Sequence, residues 1–585
     1  MSHKLQTLAR HPGRFSLTVD EWNSGNNYDF LAVALHYFDV SFRLVDVAIG
    51  FEVLNKNISY TGEALIKSLD DVLTQYDIRS RIISITRDNA GPMNALLDIF
   101  AKERNKNVGE TDLGFSGDIR CVRHVFTLVT EAFLSFTFFK TKKTKKFETI
   151  LQKAQEDHPT LCELLPKLRS LPGVIRSILN GIRHNHFLKN NFQKLVQERN
   201  SSEEDDTVRN RNMGPETLLK DNETRWLSTL RMLERFIYFR EQITVLLILA
   251  ENVKVSKRLK LEAYTIEDDE WKYLETICKV LKIFEAPTKM LQGSNYVTLN
   301  NTIPVVSDIL QKLGVLKDGG LSSSNHLLQL GLESAFDKLR EYYPIHKDEI
   351  GPIKNLYLAT VLDPRLKIAA LQDCGISDSA ITNVEEYFHE VYSVYKANID
   401  ERNTRPELVG ARRIGQSAFR VGSTNNDLLG NLFARRNRPE SSSDEVKRFL
   451  SEEQQDTIFD FYAARRNTFP VISQMAREFL AIPAMSASSE RIFSKVGDMV
   501  TRKRNRLQPG TIKMLAILKA RDLVVDEEST VCDVAEGAKL TSDNIIDKEN
   551  EKQDEDGELE AITIEDSDTS EDDDEALVTV FIPEN

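Results

Sequence analysis

Five cysteines, Cys121, Cys162, Cys278, Cys374 and Cys532, are scattered over 585 residues with no Cys-x-x-Cys pair among them. That spacing argues against a disulfide framework and against any recognisable zinc finger, and leaves reduced thiols as the expectation. No stretch reaches the ~20 uncharged apolar residues that a bilayer span requires. Residues 1–14 lack an apolar signal core. The chain is therefore expected inside the cell, with no membrane partner. No internal repeat is apparent.

What the chain has in excess is length and, at one end, acid. At 585 residues it exceeds what one hydrophobic core normally organises, and two or three domains are expected. The net charge of −14 is unevenly placed: residues 526–585 hold 23 Asp and Glu against 3 Lys, which leaves 67 acids and 73 bases in residues 1–525. A mildly basic body is compatible with a polyanionic partner, although many globular proteins carry such a charge. The acidic tail is too polar and too densely charged to offset chain entropy, and disorder is expected from 526 onward.

Three acids stand where an apolar segment ends or a helix begins. Asp20 closes the alternating run Phe15 to Val19, and Asp88 closes Arg81 to Thr86, both of which read as strands. Between them lie two more apolar runs, Phe30 to Phe38 and Leu44 to Phe51, then a helical stretch from Thr61 to Tyr76 with Leu65, Leu69 and Leu73 four apart. Short links suit hairpins among the first three strands, and the helix suits a crossover to a parallel fourth. This is the order of a ribonuclease H-like core. Glu490 follows a serine cluster that offers an N-cap, with Ile492, Val496 and Met499 as the following apolar face. Singly, each Asp reads as a turn residue and Glu490 as a complement to the helix dipole. As a set they suggest one metal site built from distant pieces of chain.

After a basic cluster at 140–146, strand-like alternation gives way to helical periodicity, as in Trp271, Leu274, Ile277, Leu281 and Phe284, or Leu227, Leu230, Leu233 and Phe236. Two polar gaps, 200–215 and 400–444, read as mobile loops. Amphipathic helices are expected at 471–480 and 511–524, on either side of the Glu490 segment. The expected class is thus α/β: a mixed-sheet core in 1–139, a large all-α insertion in 140–469, a helical completion in 470–525 and a disordered acidic tail in 526–585.

Several separated blocks together resemble the hAT superfamily of cut-and-paste DNA transposases. Leu17 to Ser24 resembles the first-acid block and Ile85 to Ala90 the second. Cys121-Val122-Arg123-His124 matches a Cys-x-x-His signature, Thr224-Arg225-Trp226 a further block, Ala359 to Arg365 another landmark, and Phe469 to Leu523 the C-terminal dimerisation region. The chain departs from the family at Phe461-Tyr462, where paired tryptophans are usual, and at Leu227, where an Asn is common. It also starts almost directly at the first acid-bearing strand, so the zinc-binding BED finger usual in the family is expected either to have been lost or to lie ahead of this start.

The resemblance implies a DDE-type nuclease and strand-transfer site, with Asp20, Asp88 and Glu490 holding two Mg²⁺ or Mn²⁺ ions, DNA and a second copy of the chain as partners, and a nuclear location. It implies that His124 lies near the active site and contacts DNA, with a core histidine as the alternative. A zinc site at Cys121 and His124 lacks a second ligand pair. Trp226, beside Arg225, either stacks on a displaced base or anchors a helix. Arg491 and the cluster Arg502, Lys503, Arg504 and Arg506 are candidates for gripping phosphate, or else line a solvated loop or import signal. Dimerisation is expected through the apolar faces of 471–480 and 511–524, unless those faces cover the core. A relic that dimerises and binds DNA without chemistry is the competing function.

Overall fold

Five strands form one mixed sheet in the order β3-β2-β1-β4-β5. The computed structural model describes residues 8, 11–24, 28–54, 61–106, 113–115, 117–138, 152, 155–156, 161–202, 218–221, 226–252, 265–319, 326–404, 442–453, 457–500 and 507–530. β1 (Phe15–Asn23), β2 (Asp29–Phe38) and β3 (Leu44–Leu54) run as an antiparallel meander. The second hairpin is closed by Asp39, whose Oδ1 accepts from the backbone N–H groups of Ser41 and Arg43 at 2.7 and 2.8 Å. The helix Gly62–Tyr76 then crosses over to β4 (Ile82–Arg87), which lies parallel to β1. That helix is capped by Thr61, whose side chain accepts from the backbone N–H of Ala64, and it buries Leu65, Leu69 and Leu73 as their spacing predicts.

A second crossover helix, Gly91–Arg104, leads to β5 (Gly117–Arg120), parallel to β4. One close approach fixes the first crossover. The β2–β3 register slips between Val33 and Ala34, and a Cβ at Gly50 would meet the Val72 side chain at 2.7 Å. Glycine there lets the helix lie directly on the sheet.

From Val122 onward the described chain is helical. Val122–Thr137 packs against His326–Tyr342, where a Cβ at Gly331 would meet Thr137 and Phe133 at about 3 Å. Trp226–Tyr238 packs on Asp268–Leu291. The latter opens with a capping box between Glu267 and Glu270, and it buries Trp271, Leu274, Ile277, Leu281 and Phe284 along one stripe. These helices share a continuous apolar core with the sheet residues Phe38, Ile83 and Ile119. Met1–Asp522 is one compact unit and Leu523–Asn585 a second. The polar gaps are narrower than expected, because helices His186–Ser202, Asp378–Thr404 and Ser442–Ser451 run into their edges.

The C-terminal helices complete the sheet. Pro470–Phe479 buries Val471, Ile472, Met475, Ala476 and Phe479. Its apolar face is spent on its own core, so the face expected to meet a second copy is already covered there. Ala487–Gly497 lies on β1, β2 and β3, and Ile492, Phe493 and Val496 join Phe30, Phe51, Ile512 and Ala516 in a second apolar cluster. Trp22 stacks on Phe493 at 5.9 Å between ring centroids. The last helix, Pro509–Thr530, extends past residue 526, where composition predicts disorder, since an established helix propagates at one hydrogen bond per residue. Among the described residues no helix is long and apolar enough to cross a membrane.

Candidate active site

β1 and β4 each alternate bulky apolar with small polar side chains. Ser16, Thr18 and Asp20 fall on one face of β1, and Ser84, Thr86 and Asp88 continue the same alternation along and just past β4. The parallel register pairs Ser16 with Ser84 and Thr18 with Thr86, and Asp20 and Asp88 each follow two residues further on. The result is a buried polar seam down the middle of the sheet. Ser84 Oγ donates to Ser16 Oγ at 3.0 Å.

The chain around Pro483 to Glu490 covers that seam. Thr86 Oγ1 donates to the carbonyl of Pro483 at 2.7 Å, and the Thr18 and Ser489 hydroxyls share a hydrogen bond of 3.2 Å. Glu490, next in sequence, stands in the first turn of Ala487–Gly497. Its neighbour Arg491 donates to Asp46 Oδ2 at 3.0 Å, and Ser488 donates to the same oxygen. The segment is thus pinned to β3 as well as to β1.

Cys121 and His124 complete the surroundings. The Cys121 backbone N–H donates to the carbonyl of Arg87 at 2.8 Å, and its Sγ accepts from the N–H and hydroxyl of Ser486 at 3.4 and 3.5 Å. His124 follows one turn into Val122–Thr137. Ligand atoms of Cys121, His124 and Glu490 all lie within 4.8 Å of one another. Between them, Arg123 forms an ion pair with Glu490.

The site is electrostatically crowded. Burial pushes Asp20 up to about 7, opposed by His124 and reinforced by Cys121 and Asp88. Burial, then Asp88 and Asp20, push Glu21 up to about 8. His124 loses by burial but gains more from Cys121, Asp20 and Asp88, and rises to about 9. Cys121 would be raised by burial, yet His124 and Ser486 bring it down to about 6. Such mutual perturbation in one spot marks a functional-site candidate. Three buried polar atoms there, Glu21 Oε1, Asn89 Nδ2 and His124 Nδ1, have no hydrogen-bond partner.

Arg87, 2% exposed, holds the end of β4. Its guanidinium donates to both Asp118 oxygens at 2.9 and 2.6 Å and to the Asp88 carbonyl at 2.7 Å. Neither Arg87, Asp118, Glu21 nor Arg123 stands out in the sequence. The signal for Arg123 is its place inside Cys-x-x-His, and for Glu21 its adjacency to Asp20.

The remaining candidates are dispersed. Trp226 is 5% exposed and packs edge-on against Phe284 in the helical core, so in this conformation it presents no open face to a base. Cys121 is fully buried and Arg491 is paired with Asp46. Arg225, Arg502, Lys503, Arg504, Arg506 and the basic cluster at 140–146 lie outside the described residues. Asp363, in the Ala359 to Arg365 landmark, is a buried helix cap that binds Asn300 and Arg365.

Two family models match the chain. Residues 18–110, which run from within β1 past the end of β4, match the ZBED1 RNase-like domain, and residues 443–521 match the hAT family C-terminal dimerisation region. The chain is similar to "Putative AC transposase" of Zea mays, 22% identical over 86% of this chain and 56% of that protein. Its similarity to "Putative transcriptional regulator tpeD" of Talaromyces stipitatus is 22% identity over 99% of this chain and 62% of that protein. With "Zinc finger BED domain-containing protein DAYSLEEPER" of Arabidopsis thaliana it shares 20% identity over 92% of this chain and 67% of that protein.

The chain is a hAT superfamily, transposase-derived protein.

The hAT chain spans 56% and 62% of the length of the first two of these relatives. Its dimerisation region begins at 443, upstream of the expected 470, and takes in the helices Ser442–Ser451 and Ile458–Arg465. In that region Tyr462, standing near the expected paired tryptophans, is buried, stacks on Phe42 at 5.6 Å and donates to the Leu362 carbonyl at 2.5 Å.

Proposed function

We propose that this hAT protein is a metal-dependent DNA strand-cleaving and strand-transferring module of the DDE type, with Asp20, Asp88 and Glu490 as its acids. One observation carries the reading. Asp20 and Asp88 each stand two residues beyond Thr18 and Thr86, which pair on neighbouring parallel strands, and Glu490 is delivered beside Cys121 and His124, the latter coupled electrostatically to both aspartates. The sheet order, an antiparallel meander followed by two parallel strands, supports a ribonuclease H-like core. Residues 140–469 are then read as a helical insertion, 470–525 as its completion and 526–585 as an appended acidic tail.

Three carboxylates are a donor set that suits a hard divalent cation, and burial raises the pKa of one of them, Asp20, to about 7. When bound, Mg²⁺ or Mn²⁺ supplies activation of the attacking hydroxyl and offsets charge on the leaving oxygen. The protein's own part is positioning. Arg87 fixes the backbone of Asp88, the Thr18–Ser489 and Thr86–Pro483 contacts fix the approach of Glu490, and Arg123 holds the Glu490 carboxylate. His124, half-buried with an unpartnered ring nitrogen, is placed to meet a phosphate. Arg491, Arg225, Trp226, Arg502, Lys503, Arg504 and Arg506 are the remaining candidates for DNA contact, in a nuclear protein.

Self-association is supported by the dimerisation region. On Pro509–Thr530 the side chains of Met514, Ile517 and Leu518 are 65%, 38% and 49% exposed, at i, i+3 and i+4, opposite the buried Ile512 and Ala516. This stripe is the face we assign to the second copy.

The second reading, a nuclear dimerising DNA-binding protein without catalysis, is favoured by the regulator name of the relative that covers 99% of this chain. Incubation with Mg²⁺ or Mn²⁺ and duplex DNA separates the two. Nicks that vanish in Asp88→Asn and Glu490→Gln support the enzyme. Intact dimers that bind DNA and never nick it support the second reading, and cleavage confined to RNA–DNA hybrids overturns both.

A further inference from the structure

We propose that Cys121, His124 and Glu490 form a site for a borderline-soft divalent cation, zinc above all, distinct in donor chemistry from the Asp20 and Asp88 carboxylates. The three donors are a thiol, an imidazole and a carboxylate, the mixture that selects Zn²⁺ over Mg²⁺. They come from two helix starts that face each other: Cys121 caps Val122–Thr137, His124 stands three residues on along the same face, and Glu490 is in the first turn of Ala487–Gly497.

Ligands bound tetrahedrally to one zinc at ~2.0–2.3 Å lie roughly 3.3–3.8 Å apart. The donor atoms here are within 4.8 Å of one another, so a contraction of about one ångström closes the set. Three protein ligands leave a fourth position for water, the arrangement of an open zinc site.

The surroundings are those of a held ligand set. Ser486 directs its N–H and its hydroxyl at Cys121 Sγ, and the Cys121 N–H is anchored on the Arg87 carbonyl, so the sulfur cannot turn away. His124 has a buried ring nitrogen, Nδ1, without a hydrogen-bond partner. Glu490 is held by Arg123, whose side chain is 35% exposed and can give way toward solvent. Binding then exchanges one cation for another: the metal takes the place of Arg123 at Glu490, and the one proton held between Cys121 and His124 leaves for solvent as both become ligands. The claim does not depend on the nuclease reading. Only its consequence does, since Glu490 cannot serve this ion and the aspartate pair at once.

Cobalt(II) is the probe, added to the metal-free full-length chain and followed by absorption. The expected result is a near-ultraviolet sulfur-to-cobalt charge-transfer band that saturates at one equivalent, is bleached by Zn²⁺, is lost in Cys121→Ser and is weakened tenfold or more in His124→Asn. Absence of the band in the wild type overturns the proposal. So does a band that survives Cys121→Ser, because another cysteine would then be the ligand. If Cys121→Ser fails to fold by circular dichroism, Arg123→Ala decides: it removes the competitor for Glu490 and leaves all three ligands in the chain. Tighter cobalt binding supports the site, and unchanged or weaker binding overturns it.

Discussion

Arg87 shows how one side chain can organise the strand end that carries a candidate acid. Buried at 2% exposure, it joins β4 to Asp118 of β5 and to the backbone of Asp88. Replacing it by Met keeps the volume and removes three charged hydrogen bonds, at ~1.5–3 kcal/mol for such bonds. Because Asp118 is 38% exposed and regains water, the lower end of that range is expected in urea denaturation. The nicking rate should fall further than stability alone explains. Arg123 is the contrasting case. Its pair with Glu490 is 35% and 23% exposed, so Arg123→Ala should change unfolding free energy by less than about 1 kcal/mol in the same assay. Both arginines are invisible in the sequence for the same reason: their importance comes from the partner. Arg123 meets a residue 367 positions away, and no local pattern announces that. The acids are legible because a carboxylate at the end of an apolar alternating run is a local anomaly.

At the scale of elements, periodicity decides what can be read. β1 to β4 and the crossover helix follow from alternation and from Leu65, Leu69 and Leu73, whereas β5 has four residues, Gly-Asp-Ile-Arg, too few to show a period. The face of Pro470–Phe479 is legible as apolar, but not what it would cover. It carries Glu478, which anchors the chain entering β1. Arg14 donates to Glu478 through Nε at 2.7 Å and through its backbone N–H at 3.1 Å, Tyr395 donates at 2.5 Å and Gln474 at 2.8 Å. Burial would raise the Glu478 pKa, but Arg14 and the hydrogen bonds from Tyr395 and Arg14 hold it below the ordinary value. A carboxylate with a depressed folded-state pKa adds stability above its unfolded value, near 4.3, which is lost as pH falls through the folded value. Denaturation curves from pH 7 to pH 3 should therefore show the gap between wild type and Glu478→Gln narrowing on acidification. Glu478→Ala, which takes from the buried Arg14 the carboxylate it pairs with, should cost about 3–5 kcal/mol at pH 7. Gly331→Val should also destabilise, by ~1–3 kcal/mol, since its side chain would enter Phe133 and Thr137.

For the whole molecule, the proposed self-association and the proposed DNA binding are tested by separate substitutions. Met514→Glu combined with Leu518→Glu puts charge on an exposed stripe and leaves Ile512 and Ala516 in place, so light scattering should report monomers with an unchanged melting temperature. Replacing Arg502, Lys503, Arg504 and Arg506 by Gln should flatten the dependence of log binding constant on log salt by about 0.9 for each phosphate those side chains neutralise. A slope that does not move would place the DNA-gripping residues elsewhere on the body.

The polar seam of β1 and β4 is encoded before residue 90, and its cover, 483–490, comes some four hundred residues later. Closing the seam is therefore a long-range event: Thr18 and Thr86 can pair with each other's strands as soon as the first ninety residues are made, but their hydroxyls gain Ser489 and the Pro483 carbonyl only when a stretch of chain some four hundred residues downstream folds back.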